Sequence, residues 1–471
     1  MVFSAPIFIF GFFPIFLLLY FLSPRWMANG TALLLSMLFY AWGEPRFVLI
    51  ACASAVFDYA MVVAIHRASP DGPHRKRLLV VAVLANLGLL AWFKYANFAV
   101  QSLHDAGHAL FGASYSPMAQ IALPIGISFI VFEKITYVVD VYRGVGAPAK
   151  NLRDYLLYVF LFPKLLAGPI IKYHDIEQQL IERPKRLDDL SEGLKRFAVG
   201  LAKKVLIADV MGEVADAMFA PGLPLGFGQA WLGAIAFSLQ IFFDFSGYSD
   251  MAIGIARCMG FRLLENFNRP YLAIGFADFW RRWHISLSSW IRDYLYIPLG
   301  GDRGSVARTY ANLWICFLAS GLWHGAAWTF ILWGAYHGLF LTLDRMFMRR
   351  LLKRMPAAIG IAITFLLITL GWVIFRGTDF ASTASYFSAM AHPGRDGARF
   401  VLITRDVGFV MGLGLLLCFL PGLPAVARLE TKLYSARYWP AVSMVGALLL
   451  FVVAAAKATT IAFHPFLYFR F

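Results

Sequence analysis

Residues 355–375 read Met-Pro-Ala-Ala-Ile-Gly-Ile-Ala-Ile-Thr-Phe-Leu-Leu-Ile-Thr-Leu-Gly-Trp-Val-Ile-Phe, with Lys353 and Arg354 just before them and Arg376 just after. A run this long without a charge matches the ~20 apolar residues a helix needs to cross the hydrocarbon core of a bilayer. Residues 6–22, 79–93, 407–426 and 438–456 are also free of charge. One such run could be the core helix of a globular protein, but so many in one chain point to a membrane. Composition agrees: 60% of the 471 residues are hydrophobic and 15% charged, where soluble domains carry about 25% charged residues. The first run has no Lys or Arg before it and is followed by Ser23-Pro-Arg-Trp26 rather than small residues. It therefore reads as a retained first span, not a cleaved signal.

The net charge of +15 would suggest nucleic acid in a soluble protein. Here the basic residues cluster between apolar runs: Arg67, Arg75, Lys76 and Arg77; then Arg183, Lys185, Arg186, Lys195, Arg196, Lys203 and Lys204; then Arg349, Arg350, Lys353 and Arg354. Cytoplasmic loops collect Lys and Arg. These clusters should face the cytoplasm, with the N-terminus outside, anionic headgroups as neighbours and no role for nucleic acid. Cys52, Cys258, Cys316 and Cys418 are scattered in or beside apolar stretches and read as small buried residues rather than a disulfide or zinc framework.

Three spans fill roughly residues 6–65, and a fourth ends near Lys94. Residues 98–119 are mixed and suit an interface, and apolar helices resume at 121–141 and 155–171. Residues 172–196 are the most water-like part of the chain. From 198 to 337 the apolar runs are shorter and are broken by Gly, Asp, Arg, Ser and His. Such breaks are tolerated at membrane depth only where protein or a water-filled cavity shields them. The pattern predicts one all-α membrane domain, 1–471, of about eleven or twelve spanning or re-entrant helices, with a polar centre near residues 198–340.

Ionisable residues in membrane segments are costly and are functional candidates by default. The first cluster is Asp244-Phe-Ser-Gly-Tyr-Ser-Asp250, where Gly247 suggests a break or tight turn and Asp and Ser could cap it or line a path. The second is Phe279-Trp-Arg-Arg-Trp-His284-Ile-Ser-Leu-Ser288, continuing to Arg292. At about 100° per residue, Arg281, His284, Ser288 and Arg292 share one helical face. An interfacial helix would explain the Arg and Trp residues but not a His between Trp283 and Ile285. The third is Gly321-Leu-Trp-His324-Gly325, followed by Gly334-Ala-Tyr-His337-Gly338. Each His precedes the second Gly of a small-xxx-small pair, which permits close helix approach. On a continuous helix from 313 to 341 the two rings would be separated by a rise of ~20 Å and point ~140° apart, too far to share a metal ion.

No G-x-S-x-G and no P-loop is present. Histidine is then the best candidate base, because its pKa lies near neutrality. A neutral His can take the proton of a hydroxyl as its oxygen attacks an ester or thioester carbonyl, and Trp, Arg or Ser groups can steady the oxyanion.

These motifs resemble the membrane-bound O-acyltransferase family, and the text around them resembles its bacterial branch. Similar stretches include Phe93-Lys-Tyr-Ala-Asn97, Leu123-Pro-Ile-Gly-Ile-Ser128, Ala167-Gly-Pro169 and Arg292-Asp-Tyr-Leu-Tyr296, with matching text from Met1-Val-Phe-Ser4 to Phe466-Leu-Tyr-Phe469. Between residues 383 and 437 no motif matches. The resemblance implies a ring of helices around a central tunnel, with His324 as the essential histidine and His284 as its second polar partner. Asp244, Ser246, Tyr248, Asp250, Arg281, Trp283, Ser288, Arg292 and Trp323 would line the substrate tunnel. It also implies a bacterial inner-membrane O-acetyltransferase with no bound cofactor or metal, using acetyl-CoA from the cytoplasm. The acetyl group would move toward an alginate-like extracytoplasmic polysaccharide, with peptidoglycan, cellulose or teichoic acid as other acceptors. A separate extracytoplasmic acetyltransferase is an expected partner. A polytopic transporter is the rival class, since polar groups at membrane depth also mark permeation paths.

Overall fold

The computed structural model describes residues 2–70, 72–112, 120–222, 224–399, 404–460 and 466–467. Met1, residues 113–119 of the mixed segment and residues 468 and 469 of the last motif lie outside these. Among the described residues every regular element is helical. Six helices are long and apolar enough to cross a membrane: Phe47–Arg67, Pro73–Phe111, Phe227–Cys258, Ala357–Arg376, Arg405–Gly422 and Trp439–Thr460. Several of the other apolar stretches form shorter helices, because prolines, glycines and extended residues divide them.

The chain forms two compact units. The first comprises Ile7–Gly193 and Ile255–Leu264. Its buried centre holds charges in pairs. Lys134 meets Asp58 at 3.1 Å, and both have low exposure. The Lys134 ammonium also donates to Ser54 Oγ at 2.7 Å, and Asn86 donates to Asp58 at 2.8 Å. Lys164, on the four-residue helix Phe162–Leu165, pairs with Glu133 and lies 4.5 Å from the centre of the Tyr158 ring. A buried charge without a partner is strongly destabilising, so the one-to-one pairing is what lets these ions sit inside.

The second unit comprises Val2–Pro6, Leu194–Gly254 and Glu265–Phe471. Its helix Phe227–Cys258 runs unbroken through Gly247, so the expected break does not occur. A Cβ at Gly247 would meet the carbonyl oxygen of Gly200 at 2.7 Å, and the glycine instead lets two helices cross backbone to backbone.

The expected continuous helix over 313–341 is also overturned. Helix Val306–His324 ends where Gly325 becomes extended (φ −159°), and a second helix, Trp328–Leu343, folds back beside it. A side chain at Gly325 would collide with the Phe330 ring, one at Gly321 with the Phe330 carbonyl, and one at Gly334 with the Phe317 carbonyl. The glycines serve the closure of this hairpin on itself.

Candidate active site

His284 and His324 come together in the second unit. Their ring centroids are 6.4 Å apart, and their relative exposures are 0% and 4%. Aromatic rings wall them in. Phe245 meets His284 edge-on at 4.6 Å. Trp323 lies 5.8 Å from His284 and 5.0 Å from His324. Trp333 and Phe375 close the His324 side at 5.0 and 5.4 Å.

Two local breaks aim the rings. His324 is the last residue of its helix, at the turn of the hairpin. His284 lies between the short helices Phe276–Trp280 and Ile285–Ile291, in the left-handed region (φ 44°, ψ 54°). For a residue with a Cβ this conformation costs on the order of 1–3 kcal/mol and persists only where the surroundings hold it. Asn266 supplies that hold. Its carbonyl accepts the Ile285 N–H at 3.0 Å. Its Oδ1 accepts the Ser286 N–H and hydroxyl at 3.2 and 2.9 Å, and its Nδ2 donates to Ser249 at 3.2 Å.

This turn corrects the expectation that Arg281, His284, Ser288 and Arg292 share a helical face. His284 faces the aromatic box, while Arg281, Ser288 and Arg292 line a cavity of about 470 Å³ with Leu287, Phe317 and Ser320. Ser320 is one turn before His324 on the same helix, so this cavity and His324 share a wall. Arg281 pairs with Asp278 at 3.1 Å and Arg292 with Asp293 at 2.7 Å. Burial opposes the Asp278 charge, but the Ile274 N–H and the Arg281 and Arg282 guanidiniums outweigh it and hold the carboxyl below its usual range.

The other tunnel candidates are placed differently. Trp283 is packed among Phe267, Phe279 and Trp372 at 5.0, 5.5 and 4.9 Å. Asp244 is held by Lys204 at 2.9 Å and by the Leu467 N–H at 2.8 Å. Tyr248 stacks between Phe3 and Phe466, at 4.7 and 4.6 Å. Ser246 and Asp250 line a second cavity. Of the expected set, Trp323 touches both histidines.

His337 does not point away from the site, as a continuous helix would require. It contacts Trp333 at 4.6 Å, the ring that also meets His324. Its Nδ1 accepts the Trp280 indole N–H at 3.2 Å. The ring is thereby tied to a structural partner, with its other nitrogen carrying the proton in the neutral form.

Sequence reasoning missed Asn266, Phe245, Trp333 and Phe375. Asn266 sits in a Gly-, Asn- and Pro-containing connection that reads as an ordinary loop. Trp333 and Phe375 lie in apolar stretches where nothing distinguishes them from core, and Phe245 lies inside the Asp244–Asp250 cluster, where the polar residues drew the reading. Among the described residues no group of three or more His, Cys, Asp or Glu side chains is disposed to hold a metal.

The comparisons with known proteins meet this geometry. The membrane-bound O-acyltransferase family model matches residues 149–384, which include both histidines. The probable alginate O-acetylase of Pseudomonas aeruginosa is 46% identical over 390 residues, covering 83% of this chain and 75% of that protein. The peptidoglycan O-acetyltransferase of Helicobacter pylori is 35% identical over 425 residues, covering 83% and 80%. The teichoic acid D-alanyltransferase of Bacillus subtilis is 29% identical over 277 residues, covering 54% and 69%. With a buried histidine pair, a half-matching family model and near-full-length relatives in agreement, the chain belongs to the membrane-bound O-acyltransferase family and is a multi-pass membrane acyltransferase.

Proposed function

We propose that the protein is an inner-membrane O-acetyltransferase that passes acetyl groups from acetyl-CoA on the cytoplasmic side toward hydroxyls of an extracytoplasmic, alginate-like polysaccharide, with a separate extracytoplasmic acetyltransferase completing the delivery. The observation that carries the reading is the meeting of His284 and His324, 40 positions apart in the chain, in one water-poor box. His324 takes the proton of the attacking hydroxyl as its oxygen forms a bond to the acetyl carbonyl carbon. The carbon–sulfur bond then breaks, and the leaving thiolate receives that proton. His284 orients the hydroxyl, and the Trp323 indole, which contacts both rings, steadies developing charge.

The 470 Å³ cavity suits the donor arm, with apolar walls for the acyl-bearing chain and Arg281 and Arg292 for its phosphates. The alginate-like acceptor is favoured by the 46% identity to an alginate O-acetylase, against 35% for the peptidoglycan enzyme. The test is transfer of labelled acetyl from acetyl-CoA by the purified protein in liposomes, with oligomers of alginate, peptidoglycan, cellulose or teichoic acid, with and without extracytoplasmic proteins encoded nearby. Label entering alginate oligomers supports the reading. Label entering only another polymer overturns the acceptor, and failure of acetyl-CoA to donate to any of them overturns the donor.

A further inference from the structure

The second unit holds a second cavity, of about 350 Å³, whose lining includes neither catalytic histidine. Its size falls within the ~300–1,000 Å³ of small-ligand sites. One part of its lining is apolar, with Phe242, Phe243 and Ile253 from the helix Phe227–Cys258 and Leu417 and Pro421 from the helix segment Arg405–Gly422. The other part carries three cations, Arg196, Lys203 and Arg269, and three carboxylates, Asp250, Glu265 and Glu430. Arg196 contacts Asp250 at 2.9 Å and also pairs with Glu265. Lys203 meets Asp250 and Arg269 meets Glu430, both at 2.6 Å. Three positive and three negative side chains leave this lining formally neutral.

One further observation marks the cavity as built for a ligand. Ser246 lines it at 3% exposure, and its hydroxyl has no hydrogen-bond partner among the described residues. The surroundings are those of a membrane: Leu416 and Leu420 on the same helix as Leu417 are 56% and 40% exposed, an apolar face with no protein cover.

We propose that this cavity binds a zwitterionic phospholipid with a primary ammonium head, phosphatidylethanolamine. Its acyl chain lies against Phe242, Phe243, Ile253 and Leu417. Its phosphate takes the place of Glu430 at Arg269, and its ammonium, with three N–H donors, joins the carboxylates. A polyanion such as a nucleotide carrier would be repelled by the three carboxylates that share this lining. A choline head has no N–H to give them, and an anionic lipid leaves them without a new partner. The ester and phosphate oxygens of the lipid are acceptors that can meet the Ser246 hydroxyl.

The test uses the full-length protein, delipidated in detergent, with native mass spectrometry and melting midpoints recorded against added phosphatidylethanolamine, phosphatidylglycerol, phosphatidylcholine, coenzyme A or phosphoethanolamine. Exposed ion pairs are individually weak, so the expected preference for phosphatidylethanolamine over phosphatidylglycerol is about fivefold, with no binding here of the free head or of coenzyme A. Glu430→Gln should erase that preference, Arg269→Ala, which removes the partner of the phosphate common to both, should weaken retention of both lipids, and Leu417→Trp, which fills the apolar end, should abolish retention. Equal retention of the two lipids by the wild type, or unchanged retention in Leu417→Trp, overturns the proposal. So does coenzyme A binding that Arg269→Ala weakens. Should Leu417→Trp fail to fold, Ile253→Phe fills the same end and is read in the same way.

Discussion

The two units differ in what they bury beside their ions. The first buries one-to-one ion pairs, Asp58 with Lys134 and Glu133 with Lys164. The second also buries ions, Lys204 with Asp209 and Asp244, but adds a pair of imidazoles boxed by Phe245, Trp323, Trp333 and Phe375. An ion pair at depth is satisfied and resists change, because removing either charge strands the other. An imidazole can exchange a proton without leaving its place. The first arrangement suits holding helices together and the second suits chemistry, so burial of polar groups alone does not locate a catalytic centre in this chain.

The sharpest way to break that contrast is at His324. Losing a positioned general base costs ~10²–10⁴-fold in rate, so His324→Ala should lose acetyl transfer by that factor while its melting midpoint barely moves. A variant that still transfers acetyl groups, or that loses activity only by unfolding, would put His324 with the structural residues.

The converse experiment removes one ion. Lys164→Met leaves Glu133 buried and uncompensated, and the expected loss of stability is ~3–5 kcal/mol, read as a lowered melting midpoint and poor expression. Adding Glu133→Leu should recover most of it. A single variant as stable as the wild type would mean that the pair contributes nothing to holding its helices.

Asn266 sharpens the comparison, since it holds the turn that carries His284. Asn266→Ala strands the Ser286 groups, and leaving buried polar groups unsatisfied costs ~1–3 kcal/mol. If it positions His284, kcat should fall by about tenfold or more with KM little changed, and Asn266→Asp should restore part of the rate by keeping the acceptor. Equal losses in stability for both variants, with kcat intact in the folded fraction, would make it a purely structural residue.

His337 should show the smallest effect. His337→Ala strands the buried Trp280 N–H, which costs ~1–3 kcal/mol. It should lower stability by about that much and leave acetyl transfer within about tenfold of wild type. A loss as deep as that of His324→Ala would move His337 into the catalytic set.

Residue order alone determined the membrane class and the helical fold, because these follow from run length and charge content, both of which are local; it offered His284, His324 and His337 as candidates, and the resemblance of the motif text singled out His284 and His324. The same reading placed His284 on a helical face with Arg281, and ran one helix through both His324 and His337. It failed there because periodicity assumes an unbroken helix. Whether a helix breaks at Gly247, at His284 or at Gly325 depends on what packs against that point. Gly247 meets another backbone and stays helical. Gly325 meets the Phe330 ring of its own hairpin and becomes extended. His284 is held in a left-handed turn by Asn266. Only the tertiary structure decided that the two histidines face one another, that Trp323 touches both while Trp283 is buried in the core, and that Ser246 and Asp250 belong to a different cavity. Those outcomes rest on contacts between residues far apart in the chain, and no local pattern carries them.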